Sequence, residues 1–166
     1  KNTVALASIA SLYFQEKQFD EARNWNRKLV QVDPKNKEAF YTLGVIAWTT
    51  AFQSDAEARA TLGMRPEDPG PLKDKKVREA LREKNWNTID QGLKDLEKAL
   101  EIDKEYDEAM AYMNLLYRQR ADLQDTAEAY GKDTDVADTW IQKTLETKKI
   151  KAARAPTGGI TAEPSK

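Results

Sequence analysis

Serines such as Ser8, Ser11 and Ser54 could act as nucleophiles only beside a base, and the sequence offers none. The chain contains no histidine and no cysteine. The first absence removes the commonest general base and metal ligand. The second removes disulfides and thiolate metal sites. A lysine-activated serine needs a buried lysine, which the apolar pattern does not supply. Carboxylates are plentiful, but the 28 Asp and Glu interleave with 27 Lys and Arg. Asp74–Arg78 and Lys75–Glu79 stand four residues apart and read as solvated helix-surface pairs. The densest oxygen cluster, "DKEYDE" from Asp103, lacks the glycine and spacing of a calcium loop. "KDKKVREALREK", from Lys73, is basic, yet acids share its turns, so it reads as a solvated face. A net charge of −1 gives no global attraction to nucleic acid or anionic lipid. No apolar run approaches the roughly 18 residues of a membrane span. The expectation is therefore no catalytic residue, no metal, no cofactor, no nucleic-acid partner and no membrane insertion. Binding of another protein remains.

Such binding depends on which faces the chain exposes, and these follow from its periodicity. Between Val4 and Glu16, Leu6, Ile9, Ala10 and Tyr13 form a helical stripe. Ala22, Trp25, Leu29 and Val32 do the same from Asp20 to Val32. Asp33-Pro34 breaks that helix, and Lys37 starts the next. Links this short force antiparallel neighbours. Each pair leaves a face that the next pair covers.

The pattern repeats. Leu6, Ile9, Ala10 and Tyr13 recur 34 residues later as Phe40, Leu43, Gly44 and Ala47. Phe40, Leu43 and Ala47 recur 70 residues later as Met110, Met113 and Tyr117. The same 70 links Phe19 to Ile89, Ala22 to Gly92, Leu29 to Ala99 and Asp33 to Asp103. "VDPKNKEAF" returns as "IDKEYDEAM". Since 70 is 34 plus 36, the second unit is an ordinary one with 36 extra residues.

"SIASLYFQEKQFDEARNWNRKLVQVDPKNKEAFYTLGVIAW" resembles the tetratricopeptide repeat, a helix pair with a small residue and an aromatic on its first helix, then aromatic, acidic and Ala, then a turn ending in Asp-Pro. The resemblance covers Thr3 to Trp48 and returns over Asn87 to Tyr117. Departures are Leu6 for the opening aromatic, Gly92 for a packing Ala, Lys104 for the closing proline and Asn114 for a small residue. It implies an all-α, tetratricopeptide-like solenoid of about three helix pairs over residues 3–148, divided as 3–36, 37–106 and 107–148.

"GMRPEDPGP", from Gly63, interrupts the second unit between its helices, because the offset of 70 holds on both sides. Neither Thr49–Leu62 nor Lys73–Trp86 contains Pro or Gly. Ala51, Ala58 and Leu62 continue the stripe of the first arm, and Val77 and Leu81 lead into that of the second. Gly63 reads as a C-cap. The insertion 49–86 is thus expected to be a protruding antiparallel helical hairpin, roughly 21 Å long at about 1.5 Å per residue. It is expected to be removable without unfolding the repeats. In the third unit, Asp107–Leu123 reads as the first helix and Asp133–Lys148 as the second, with a longer turn at "QDTAEAYGKD". Residues 149–166, ending "APTGGITAEPSK", read as an extended tail.

In the family, the first helix of each pair lines the concave face. Carried over, that face presents Ala7, Ser11 and Phe14, then Tyr41, Val45, Trp48 and Phe52, then Ala111, Leu115 and Arg118. The expected partner groove is Phe14, Tyr41, Val45, Trp48, Phe52, Leu115 and Arg118, apolar and aromatic with one cationic end. Some family members grip a C-terminal carboxylate with Lys and Asn. Ala7, Ser11, Tyr41 and Val45 occupy the matching positions, so that clamp is missing. Trp48 and Phe52 could instead pack against the base of the hairpin. The resemblance implies a non-enzymatic scaffold that binds a peptide or partner helix in its groove. The alternative is a structural module in which hairpin and tail mediate contacts within a homo-oligomer. Lys1 opens the chain inside a helix, as in a fragment of the larger bacterial tetratricopeptide proteins it resembles. Further repeats and an export signal would then lie upstream, so cytoplasmic and exported locations are both open.

Overall fold

The computed structural model describes residues 2–156, in which six helices and no strand are found. They are α1 (Thr3–Gln15), α2 (Phe19–Val32), α3 (Lys37–Thr61), α4 (Lys75–Ile102), α5 (Asp107–Asp122) and α6 (Ala127–Arg154). Consecutive helices pair as α1 with α2, α3 with α4 and α5 with α6, and the pairs stack through α2 on α3 and α5 on α3 and α4.

The helix starts are written locally. Asn2, Asn36, Asp74 and Thr126 each accept a hydrogen bond from a backbone N–H three residues on. These caps satisfy donors that a helix start leaves orphaned. Gly63 ends α3 at φ +66°, a left-handed conformation that suits glycine. There Met64 N–H donates to Arg59 O and Gly63 N–H to Ala60 O, the paired bonds of a Schellman turn.

One apolar core runs through the second and third pairs, with Ala51, Leu72, Ile89, Leu96, Met113, Leu116 and Leu123 at most 1% exposed. Each fully buried Leu, Ile or Met contributes about 1.5–3 kcal/mol. The repeated small positions set the helix spacing. A Cβ on Gly92 would fall 2.5 Å from Ala47 Cβ and 3.0 Å from Leu116 Cδ1. A Cβ on Gly44 would likewise collide with Leu96 Cδ2. Gly92, where the repeat pattern has Ala, therefore lets α4 close onto both α3 and α5. Arg27 on α2 adds a two-pronged pair to Asp95 on α4, both bonds 2.6 Å.

Four expectations need correction. First, the α3–α4 hairpin is antiparallel but does not stand clear of the stack. Its tip folds against the α5–α6 corner, where Leu72 N–H donates to Asp122 O at 3.0 Å. Met64 and Leu72 from the tip, with Ala51 and Leu81 from the arms, belong to the core, so the insertion is packed into the stack and does not protrude freely. Second, α6 begins at Ala127, not Asp133, and Gly131 lies inside it. Third, the helix continues to Arg154, so 149–154 is not extended tail. "KKIKAAR" holds no helix breaker, and Lys151 and Arg154 are tethered to Asp107 and Glu105. Tail residues 157–166 lie outside the described residues. Fourth, Asp74 and Arg78 do not pair. Asp74 caps α4, while the buried Arg78 donates to Leu72 O at 2.7 Å and sits 3.6 Å from Asp125. Lys75–Glu79 is the exposed pair expected, at 3.8 Å.

Candidate binding site

Residues 48, 52, 55 and 59 recur at nearly one turn of α3 and share a face. That face looks onto Leu115, Arg118, Gln119 and Asp122 of α5. The tip loop closes one side with Met64 and Pro66 to Pro69, and Tyr130 and Thr134 of α6 close another. Between them is a cavity of about 500 Å³. Its wall is aromatic: Trp48 and Phe52 stack with centroids 4.9 Å apart, and Tyr112 meets Trp48 edge-on at 5.7 Å. Phe52 is 46% exposed, an unusual place for so large an apolar ring.

Further along the same α3 face, toward the tip, the lining is charged and buried. Arg59 donates through Nε to Asp122 Oδ2 at 2.9 Å and through Nη2 to Asp122 Oδ1 at 2.8 Å. Its Nη1 donates to the carbonyls of Arg65 and Asp68 at 3.0 and 2.9 Å. One guanidinium thus ties the tip loop to the end of α5. Asp55 lies 3.4 Å from the same Nε and is 5% exposed. Its Oδ1 has no hydrogen-bond partner among the described residues. Two buried carboxyl groups face one guanidinium, so ionising both would leave a surplus negative charge. Burial, then the charge of Asp122, push the Asp55 carboxyl up to about 7 against the pull of Arg59.

Trp48, Phe52, Leu115 and Arg118, four of the seven expected groove residues, line this cavity. Arg118 is not a free cationic end, because it donates to Asn114 Oδ1 at 2.8 Å and to Asp138 Oδ1 at 2.6 Å. Tyr41 and Val45 lie elsewhere. Val45 is buried. Tyr41 packs on Tyr106 and Tyr112 at 5.2 and 5.6 Å, and burial pushes its phenol up to about 12. Phe14 packs edge-on against Phe19 at 5.8 Å, away from the cavity lining. The question over Trp48 and Phe52 divides. Trp48 is half-buried and packs on the core, whereas Phe52 is exposed. Sequence reasoning missed Asp55, Arg59 and Asp122. Asp55 and Arg59 do stand at i,i+4, but a solvated pair gives the same signal; only the contact across 63 residues to Asp122 distinguishes them.

Among the described residues no group of His, Cys, Asp and Glu is arranged to hold a metal ion, and no helix is long and apolar enough to cross a membrane. A family model described as tetratricopeptide repeat matches residues 4–36. No curated protein matches the chain. The matched residues are α1 and α2 with the turn that follows, the stretch where the small and aromatic positions and Asp33-Pro34 were read. Tetratricopeptide repeats generally mediate protein–protein interaction and are typically non-enzymatic. The chain therefore carries a tetratricopeptide repeat in its first helix pair, within an all-helical, solenoid-like fold.

Proposed function

We propose that this chain is a non-enzymatic interaction scaffold that receives a peptide segment of a partner protein at the cavity between α3, α5 and the α3–α4 tip. In this reading the second and third helix pairs, 37–106 and 107–148, are lengthened forms of the first repeat. The observation that carries it is the convergence of Trp48, Phe52 and Leu115 on one cavity beside the half-exposed Phe52 ring. Aromatic anchors at the rim of a preformed hollow are the usual energetic centres of peptide recognition. The cavity volume, about 500 Å³, lies within the range of ligand sites, which is roughly 300–1,000 Å³.

Panning a random peptide library on the full chain tests this. Selected peptides should lose about 2 kcal/mol of affinity on Phe52→Ala and on Leu115→Ala. Phe52→Ala should leave the melting temperature within about 2 °C. Selected peptides indifferent to both changes would move the site elsewhere.

Self-association is the second reading, and Leu145 and Ile150, 51% and 44% exposed on α6, favour it. Light scattering across a hundredfold concentration range separates the two, since self-association raises the mass and Leu145→Glu abolishes the rise.

A further inference from the structure

We propose that the cavity takes a lysine or arginine side chain of the partner peptide, with its aliphatic stem against Trp48 and Phe52 and its charged head at Asp55. This inference deepens the scaffold reading and rests on it. Three features converge on a cation. The first is Asp55 itself, 5% exposed and lining the cavity, with Oδ1 left without a donor among the described residues. Above about pH 7, where Asp55 is ionised, a ligand N–H⁺ on the cavity side of its carboxylate supplies a charge-assisted hydrogen bond.

The second is charge balance. Asp55 and Asp122 face Arg59 alone, and four of the five N–H donors of Arg59 already go to Asp122 and the tip-loop carbonyls. The other cation at the cavity, Arg118, is held by Asn114 and Asp138. An acidic occupant would add a third carboxylate to this surplus, whereas a cationic one neutralises it. The third is the wall. Stacked Trp48 and Phe52 present ring faces and edges suited to a methylene stem and to a cation near a π-face.

The test uses the full chain and three small probes: the Nα-acetyl methylamides of lysine, norleucine and glutamate. Norleucine keeps the stem and lacks the charge. Amide and indole NMR shifts are followed at pH 7.5. The lysine probe should shift the Trp48 indole and the Leu115 and Gln119 amides saturably, at least tenfold more tightly than norleucine. The glutamate probe should produce no saturable shift. Asp55→Asn, which keeps the shape and removes the charge, should reduce lysine affinity to that of norleucine without lowering the melting temperature. Asp138→Asn, which frees the neighbouring Arg118 but spares Asp55, should weaken lysine binding less than threefold. Equal binding of lysine and norleucine, tighter binding of glutamate, no saturable shift with lysine, or lysine affinity unchanged in Asp55→Asn each overturns the inference. None of these results touches the scaffold reading, which stands or falls on the Phe52 and Leu115 dependence of panned peptides.

Discussion

Replacing Asp55 with Asn should raise the stability of the protein above about pH 5, and raise it more as the pH increases. In the folded chain the Asp55 carboxyl titrates near 7, against an ordinary value of 3.8. A carboxyl raised on folding contributes fully below the unfolded value. The contribution is lost as pH rises through the folded value, because the unfolded chain then releases its proton more readily than the native one. The window therefore runs from about pH 4 to about pH 7. At about 1.4 kcal/mol per pH unit, it spans at most ~4 kcal/mol. Relaxation of the tip loop around Arg59 reduces that ceiling. Asn has the same shape, can donate toward Asp122 and never ionises. The clean quantity is the difference between variant and wild type in urea melts followed by tryptophan fluorescence. Other titrating carboxyls cancel from it, including Asp103 and Asp107, whose lysine partners hold them below the ordinary value and oppose the burial of each. The expected difference is near zero at pH 4, grows to about 2–4 kcal/mol by pH 8 and then flattens. A difference that is flat from pH 4 to 8, or that slopes the other way, refutes the buried-proton reasoning.

Arg59→Met should cost about 3–5 kcal/mol, because it strands two buried carboxylates and frees the tip loop; circular dichroism melts at pH 7 read it, and a loss under 1 kcal/mol contradicts the hub role. Gly92→Val should cost more than about 1–3 kcal/mol, since its Cβ alone already meets Ala47 at 2.5 Å and only helix separation relieves the clash. Trp48→Ala should cost roughly half of the about 3–5 kcal/mol of a fully buried tryptophan. It should also weaken peptide binding, so thermal melts and binding isotherms must be read together for that variant. Excising residues 50–85 should abolish a cooperative melt, because it removes Ala51, Met64, Leu72 and Leu81 from the core.

The helices were legible because their signals are local: apolar residues at helical spacing, the Asp33-Pro34 break and Gly63 at the end of α3. The offsets of 34 and 70 gave the pairing of helices for the same reason, since each repeat reuses one solution to the same packing problem. The protruding hairpin was misjudged because its length was counted without asking what covers Met64 and Leu72. Both face the α5–α6 corner, which the sequence places about 50–60 residues downstream. The start of α6 differs from the expectation because "QDTAEAYGKD", which contains Gly131, reads as a turn while its second half is helical. The helical position of Gly131 carries no steric demand, as a Cβ there would meet nothing within 4 Å. Of the groove, the face shared by Trp48 and Phe52 was visible in their spacing. The burial of Val45 and the packing of Tyr41 against Tyr106 and Tyr112 were not, since those rings lie more than 60 residues along the chain. Arg118 read as a free cation because Asp138, its partner, lies on the next helix.

The most direct test of the account is an NMR shift map of the full chain saturated with one panned peptide. The account predicts perturbations centred on the Trp48 indole, Phe52, Leu115 and Gln119, with the exposed α2 face around Val32 and the α4 end at Ile102 unmoved. Perturbations centred on that α2–α4 surface, with Trp48 and Leu115 unshifted at saturation, would contradict it.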